Sequence, residues 1–161
     1  MDWRIGEGID RHALVAGRPL RLGGVEIPHD RGLQGHSDGD ALLHALCDAL
    51  LGAGALGDLG THFADTDDAN RDRDSADFLR GVLARLAEAG YEAGNLDCTI
   101  MAEEPRLAPH VAAMRARIAE ISGLELDRIS VKATRGEGMG PEGRAECITV
   151  RAVALIRRSA S

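Results

Sequence analysis

Aromatic residues are scarce in this chain: its 161 residues include one Trp, one Tyr and two Phe. The core must therefore be built mainly from Ala, Leu, Val and Ile. No apolar run approaches the roughly 20 residues that span a bilayer. The N-terminus also lacks a charged stretch followed by an apolar one, so we expect neither a membrane span nor a signal peptide.

Cysteines are also few, and they form no recognisable pattern. Cys47, Cys98 and Cys147 are odd in number and widely spaced, so they match neither a disulfide framework nor a Cys-x-x-Cys metal site. We expect three small buried side chains, which suits a reducing cytoplasm.

Basic charge is limited as well, with a formal net charge of −7. No basic cluster extends beyond Arg157-Arg158, and no stripe of aromatic residues accompanies that pair. A nucleic-acid partner is therefore not expected. Glycine, by contrast, is abundant: the chain has 20, which favours tight turns and close approach of the backbone to a ligand.

Hydrophobic periodicity predicts an α+β fold, a mixed β-sheet with helices packed on one face (a ferredoxin-like sandwich), in a single domain spanning residues 1–161. Strands are predicted over 3–9, 20–22, 25–27, 91–101, 129–134 and 145–157, and helices over 38–53, 75–89 and 109–122. We expect Ser37 to cap the first helix and Asp40 to lie in its first turn. Residues 62–74 are predicted to form a surface loop.

Two histidines and an aspartate are spaced as a set of metal ligands. Asp10 and His12 share one face if this stretch is a strand, because side chains alternate along a strand. His44 lies one to two turns into the first predicted helix and could supply a third ligand from the opposite wall. Two imidazoles, one carboxylate and a free fourth position make a catalytic zinc site. The alternative is a solvated surface pair, because Asp-x-His is common.

Glu137 is a further oxygen ligand candidate, between Gly136 and Gly138 in a glycine-rich loop. A carboxylate there suits a hard cation such as Mg²⁺, and exposed N–H groups in such a loop can bind phosphate. An ordinary surface loop with a solvated Glu is the alternative.

These motifs together resemble the 2-C-methyl-D-erythritol 2,4-cyclodiphosphate synthase family of the non-mevalonate isoprenoid pathway. The matching stretches, in order, are GEGIDRHA, HSDGDALLHALCDALLGAGALGDLG, FADTD, KAT and GRAECI. The resemblance implies a homotrimeric phosphorus-oxygen lyase with active sites between subunits. It would convert 4-diphosphocytidyl-2-C-methyl-D-erythritol 2-phosphate to the 2,4-cyclodiphosphate and release CMP. Each site would hold one Zn²⁺ and one Mg²⁺ or Mn²⁺.

The resemblance also implies roles for the residues at matching positions. Asp10, His12 and His44 would hold zinc, Glu137 the second metal, and His36 would act in catalysis. The methylerythritol phosphate would contact Asp10, Arg11, His12, His36, Ser37, Asp58, Leu59, Gly60, Phe63, Ala64, Asp65, Thr66 and Asp67. The cytidine and its phosphates would contact Ala102, Glu103, Glu104, Pro105, Arg106, Leu107, Ala108, Thr134, Arg135, Gly136, Glu137, Pro141 and Arg144.

The chain departs from the family pattern on the cytidine side. The family usually has Thr-Thr where this chain has Thr134-Arg135, and the second Thr is the family's transition-state stabiliser. Arg135 could replace that hydroxyl with a charged phosphate donor. Pro141 replaces an aromatic residue, and Arg106 replaces a lysine that contacts phosphate. Arg144 matches an arginine that, with the following Glu, closes one end of a channel along the trimer axis.

Two other functions stay open at this point. The His and Asp residues could belong to a metal-dependent phosphohydrolase, which would give linear products. The altered loop at Arg135 could instead mark a non-catalytic, trimeric homologue that binds cytidine nucleotides or an isoprenoid diphosphate.

Overall fold

The computed structural model of the chain describes residues 2–64 and 73–159. Five strands form one mixed sheet in the order β4-β1-β7-β5-β6. They are β1 (Trp3–Ala16), β4 (Arg31–Leu33), β5 (Tyr91–Met101), β6 (Ile129–Thr134) and β7 (Cys147–Arg158). β5 and β6 run parallel, and the other adjacent pairs are antiparallel. The prediction of an α+β fold with a mixed sheet is confirmed, whereas the ferredoxin-like description stays a prediction.

A separate hairpin joins β2 (Leu20–Leu22) to β3 (Val25–Ile27), as the sequence predicts. Its turn residues, Gly23 and Gly24, have φ angles of 64° and 72°. Two successive positive φ angles are what a tight hairpin turn requires, and glycine adopts them without a steric penalty.

The helices cover the sheet with an aliphatic core. They are α1 (Ala41–Ala53), α2 (Leu59–His62), α3 (Ser75–Glu88), α4 (Val111–Ser122) and α5 (Gly140–Gly143). α1 packs across β1 and β7, α3 packs on α1 and β5, and α4 packs on β6. The apolar face predicted for α1 is fully buried, through Leu42, Leu43, Leu46, Leu50 and Leu51. No helix within residues 2–64 and 73–159 is both long and apolar enough to cross a bilayer.

Two glycines let α1 lie directly on β1. A Cβ atom on Gly6 would come within 2.1 Å of the Ala49 carbonyl oxygen, and one on Gly8 within 2.1 Å of the Ala45 carbonyl oxygen. Real Cβ atoms do not approach that closely, so only glycine permits this contact. Because strand side chains alternate, Gly6 and Gly8 share a face of β1 with the even-numbered residues that follow them. The helix is thereby brought close to the strand just before Asp10.

Several predicted boundaries are wrong. β1 extends past residue 9 to Ala16, because its second half pairs with β7 and then with β4, a strand that local periodicity does not indicate. α1 begins at Ala41, and its N-cap is Asp40, not Ser37. α4 begins at Val111, since Pro109 belongs to a preceding 3₁₀ turn. The glycine-rich loop after β6 includes the single-turn α5.

The structure corrects both the position and the role predicted for Asp40. It is fully buried, and its carboxylate accepts hydrogen bonds from the backbone N–H groups of Leu42 and Leu43 in α1. It also accepts from Gly23 and Gly24 in the hairpin turn. Asp40 therefore ties the β2–β3 hairpin to the start of α1, where the sequence suggested a residue that merely favours the helix dipole.

Candidate metal centre and substrate cavity

Three side chains from β1 and α1 converge at one point. Oδ2 of Asp10 lies 2.8 Å from Nε2 of His12 and 3.1 Å from Nδ1 of His44. The two imidazole nitrogens are 3.4 Å apart. One ligand atom from each residue lies within 4.8 Å of the others, the spacing of a group that could hold a metal ion. The structure thus brings together the three residues that the sequence singles out.

The outer nitrogens of the two imidazoles decide which atoms face the centre. His12 Nδ1 is hydrogen-bonded to the Gln34 carbonyl oxygen, which can only accept, so this nitrogen carries the proton. His44 Nε2 lies 2.9 Å from the Ser75 hydroxyl oxygen. Because that hydroxyl donates its proton to Asp38, its oxygen can accept the N–H of His44. Each imidazole therefore directs its other nitrogen toward Asp10, where that nitrogen can hold either a proton hydrogen-bonded to Asp10 or a metal ion. Two imidazole nitrogens and a carboxylate oxygen this close together form a group that could hold a metal ion.

The electrostatics of the cluster favour positive charge. Burial would raise the pKa of Asp10, but hydrogen bonds with His12 and His44 outweigh it and hold that pKa well below its usual range. Burial would lower the pKa of His12, but the hydrogen bond and charge of Asp10 outweigh it and raise that pKa. A site that attracts a proton in this way also attracts a metal ion, and the two compete.

The cluster lies in the wall of a cavity of about 280 Å³. The cavity is lined by Asp10, His12, Gly35, His36, Ser37, His44, Asp48, Leu59, Gly60, Phe63 and Phe78. Nδ1 of His36 is buried and makes no hydrogen bond within the part of the chain that the structure describes. An unpaired buried nitrogen is costly, which suits a group that pairs with a ligand. On the apolar side, the rings of Phe63 and Phe78 pack with centroids 4.9 Å apart.

A second cavity, of about 550 Å³, lies beyond the ends of β5 and β6. It is lined by Ala102, Glu103, Glu104, Pro105, Arg106, Leu107, Ala108, Ala133, Thr134 and Arg135. This is the stretch where the resemblance implies a cytidine pocket. Arg135 makes an ion pair with Glu103 inside that lining.

Comparison with known proteins places the chain in a family. The family model described as the YgbB family matches residues 3–157. The chain belongs to the YgbB family. A relative from Burkholderia thailandensis, named 2-C-methyl-D-erythritol 2,4-cyclodiphosphate synthase, is 56% identical over 161 residues, covering 100% of this chain and 99% of the relative.

Solved structures agree with this membership. A 2C-methyl-D-erythritol-2,4-cyclodiphosphate synthase in its CDP-bound form has a TM-score of 0.88 and 39% identity, and the match covers 96% of this chain and 100% of that one. The bifunctional IspDF from Campylobacter jejuni has a TM-score of 0.94 and 39% identity. That match covers 98% of this chain and 42% of the longer one. The chain therefore spans less than half the length of that bifunctional protein.

Some residues implied by the family resemblance lie away from the cavities. Arg11 lies on the opposite face of β1 and bonds Thr149 and Glu142. Asp58 caps α2 through the N–H of Thr61. Ala64 is exposed, and Glu137 is exposed in a turn with φ of 51°, next to Gly136. Pro141 lies in α5, and Arg144 forms an ion pair with Glu146. Asp65, Thr66 and Asp67 lie outside the described residues.

Sequence reasoning missed several residues that build the site in this YgbB family member. Ser75 contacts His44, and Asp38 accepts a hydrogen bond from Ser75. Arg18 donates to the carbonyl oxygens of Gly35 and Ser37, on either side of His36. These contacts join residues from separate elements, so no local pattern could reveal them. Asp48 accepts a hydrogen bond from the Leu59 N–H at 2.7 Å and so anchors the start of α2.

Proposed function

We propose that the protein converts 4-diphosphocytidyl-2-C-methyl-D-erythritol 2-phosphate to 2-C-methyl-D-erythritol 2,4-cyclodiphosphate with release of CMP. It would thus be a phosphorus-oxygen lyase of non-mevalonate isoprenoid precursor biosynthesis, acting in the cytoplasm. The observation that carries this proposal is the full-length 56% identity to a relative that bears the synthase name. Asp10, His12 and His44 also converge beside a cavity, which supports a metal-dependent reaction at that point.

Asp10, His12 and His44 would hold Zn²⁺, since each offers a lone pair to the same point. Glu137 would hold Mg²⁺ or Mn²⁺ together with phosphate oxygens, as an exposed carboxylate suits a cation shared with a substrate. When bound, these ions supply positive charge that polarises the diphosphate and stabilises the leaving phosphate. The cluster's preference for positive charge supports the first assignment.

The remaining residues of the first cavity would position the sugar-phosphate half of the substrate. His36 and Ser37 would hydrogen-bond phosphate or hydroxyl oxygens, since the buried Nδ1 of His36 has no partner among residues 2–64 and 73–159. Leu59, Gly60 and Phe63 would pack against the carbon skeleton and limit access of water. Water exclusion matters because a water molecule at the phosphorus would give a linear product.

The second cavity would bind the cytidine half. It is wide enough for a nucleoside, and its lining joins backbone at Ala102–Ala108 to the charged pair of Glu103 and Arg135. The solved structure of a cyclodiphosphate synthase in its CDP-bound form supports a cytidine ligand for this fold. Arg135 would turn from Glu103 to a phosphate oxygen, supplying the charge that the family's threonine hydroxyl does not.

The reaction needs positioning more than it needs a base. An oxygen of the 2-phosphate forms a bond to the β-phosphorus as the bond from that phosphorus to the bridging oxygen breaks. CMP leaves with the electron pair. The nucleophile is already an anion, so no proton must be removed, and catalysis can come from in-line geometry and from neutralised charge.

We further propose that the active unit is a homotrimer with sites completed between subunits. The face of β1 opposite α1 leaves Ile5 71% and Ile9 56% exposed, an apolar surface suited to contact with other copies. In such an assembly the cytidine cavity of one subunit would face the metal centre of a neighbour.

The test is to incubate the purified protein with the diphosphocytidyl substrate, Zn²⁺ and Mg²⁺, and to follow products by phosphorus NMR and mass spectrometry. We expect CMP and the cyclic diphosphate from the wild type and neither from His44→Ala. Linear phosphate products would replace the proposal with a hydrolase. Nucleotide binding without turnover would make the protein a binding homologue, and the catalytic proposal would fail.

A further inference from the structure

His44 has a second set of partners on the side away from Asp10. Its Nε2 lies 2.9 Å from Oγ of Ser75, the first residue of α3. Ser75 is fully buried, although its hydroxyl is polar. A buried hydroxyl must have hydrogen-bond partners, so its place beside the imidazole demands an explanation.

Asp38 supplies the other partner of Ser75. One carboxylate oxygen of Asp38 accepts a hydrogen bond from the Ser75 hydroxyl, and the other accepts from the Ser75 backbone N–H at 3.1 Å. The backbone N–H of Asp38 in turn donates to the Arg73 carbonyl oxygen. The Asp38 carboxylate therefore holds both the hydroxyl and the backbone N–H of Ser75.

The direction of these hydrogen bonds follows from the number of protons available. The Ser75 hydroxyl has one proton, and a carboxylate can only accept it. Its oxygen is then free to accept the N–H of His44 Nε2, which leaves the lone pair on Nδ1. Ser37 Oγ also lies near His44 Nε2, at 3.2 Å, but this oxygen accepts a hydrogen bond from the Gly39 N–H at 3.4 Å as well.

We propose that Ser75 and Asp38 are a positioning pair that fixes the tautomer and orientation of His44 for metal binding. The pair transmits the negative charge of a carboxylate to the far side of the imidazole, which makes Nδ1 a stronger ligand. This inference rests on the metal site proposed above. It gives Ser75 a role beyond starting a helix, because Asp74 already caps α3 through the Ala76 N–H at 2.8 Å.

The test is competition of zinc with a chromogenic chelator, made on the whole chain without substrate. We expect Ser75→Ala to weaken zinc binding by about 10- to 100-fold, the range for loss of such a supporting hydrogen bond. Asp38→Asn should weaken it in the same direction, since an amide is a poorer acceptor. Asp74→Ala is the matched control: it removes a helix cap next to Ser75 but leaves the hydroxyl, so it should lower thermal stability without changing zinc affinity.

A nitrogen-15 NMR spectrum of the histidine rings gives a second readout that a purely structural role would not move. In the zinc-loaded wild type we expect a protonated Nε2 and a metal-bound Nδ1 for His44, with the Nε2 proton protected from exchange. Ser75→Ala should lose that protection.

The outcomes separate the two proposals. If the wild type binds no zinc, the metal site itself is wrong. If the wild type binds zinc and Ser75→Ala binds it equally well, only the positioning pair is overturned. A loss of affinity in Ser37→Ala but not in Ser75→Ala would also overturn it, by assigning the orienting role to Ser37.

Discussion

Replacing Gly8 with alanine should separate α1 from β1 and open the metal centre. The new Cβ would come within 2.1 Å of the Ala45 carbonyl oxygen and 2.7 Å of the Ala49 nitrogen. Contacts under 3.0 Å essentially never occur for real Cβ atoms, so the helix and strand must move apart by about 0.9 Å. Two of the three colliding atoms are backbone atoms, and the third is the Cβ of Asp48, so no side-chain rotation can relieve the contact.

The cost of this displacement should be visible in both stability and metal binding. Overpacking a tight interface costs roughly 1–3 kcal/mol, which lowers the melting temperature of a chain this size by roughly 2–12 °C. His44 is carried on the displaced helix, whereas Asp10 is carried on the strand, so their ligand atoms no longer meet at bonding distances. We therefore expect Gly8→Ala to weaken zinc binding as well as to lower the melting temperature measured by calorimetry.

Gly52 offers a matched control on the same helix. A Cβ there would meet only the Glu7 carbonyl oxygen at 3.9 Å, an ordinary contact. Gly52→Ala should therefore stabilise the protein by roughly 0.5–1 kcal/mol, the helix preference of alanine over glycine, and should leave zinc binding unchanged. If Gly8→Ala behaves like Gly52→Ala, the close approach of α1 and β1 does not position the metal site and the reasoning is refuted.

Three further predictions concern single side chains. Asp40→Ala removes the buried acceptor of four backbone N–H groups and should lower the free energy of unfolding, measured by urea titration, by roughly 3–5 kcal/mol. Asp58→Ala, at an exposed helix cap, should lower it by only about 1 kcal/mol. Equal losses would contradict the role assigned to Asp40. Arg18→Ala frees the backbone on either side of His36 and should lower kcat for CMP release at least about 10-fold, whereas Arg21→Ala should not change it. The loss of one charge-assisted hydrogen bond, roughly 1.5–3 kcal/mol, corresponds to about 10- to 150-fold in rate. Arg135→Ala should lower kcat about 100-fold, as for loss of one charge-stabilising donor; an unchanged kcat would show that Arg135 does not contact the phosphates.

The parts of the site that could be predicted are those set by local geometry. The meeting of His44 with Asp10, 34 residues away, was a hypothesis from their residue types. Alternation placed Asp10 and His12 on one face of β1, because they are two residues apart, and helical periodicity placed His44 in α1. The β2–β3 hairpin followed from Gly23 and Gly24 for the same reason. Each of these predictions needed only the shape of one element and its neighbours in the sequence.

The parts that could not be predicted depend on contacts between distant residues. Asp40 reads locally as a first-turn carboxylate, because nothing near it in sequence reveals its bonds to the hairpin turn. Ser75 reads as a helix start, because its partner Asp38 lies 37 residues away. β4 has three residues, too few to show a period, and forms because β1 offers its edge.

The most direct test of the proposed chemistry is to run the reaction in water enriched in oxygen-18. Attack by the substrate's own phosphate brings in no solvent oxygen, so we predict that neither CMP nor the cyclic diphosphate carries the label when analysed by mass spectrometry. Label in either product would mean that water is the nucleophile, and would contradict an intramolecular cyclisation.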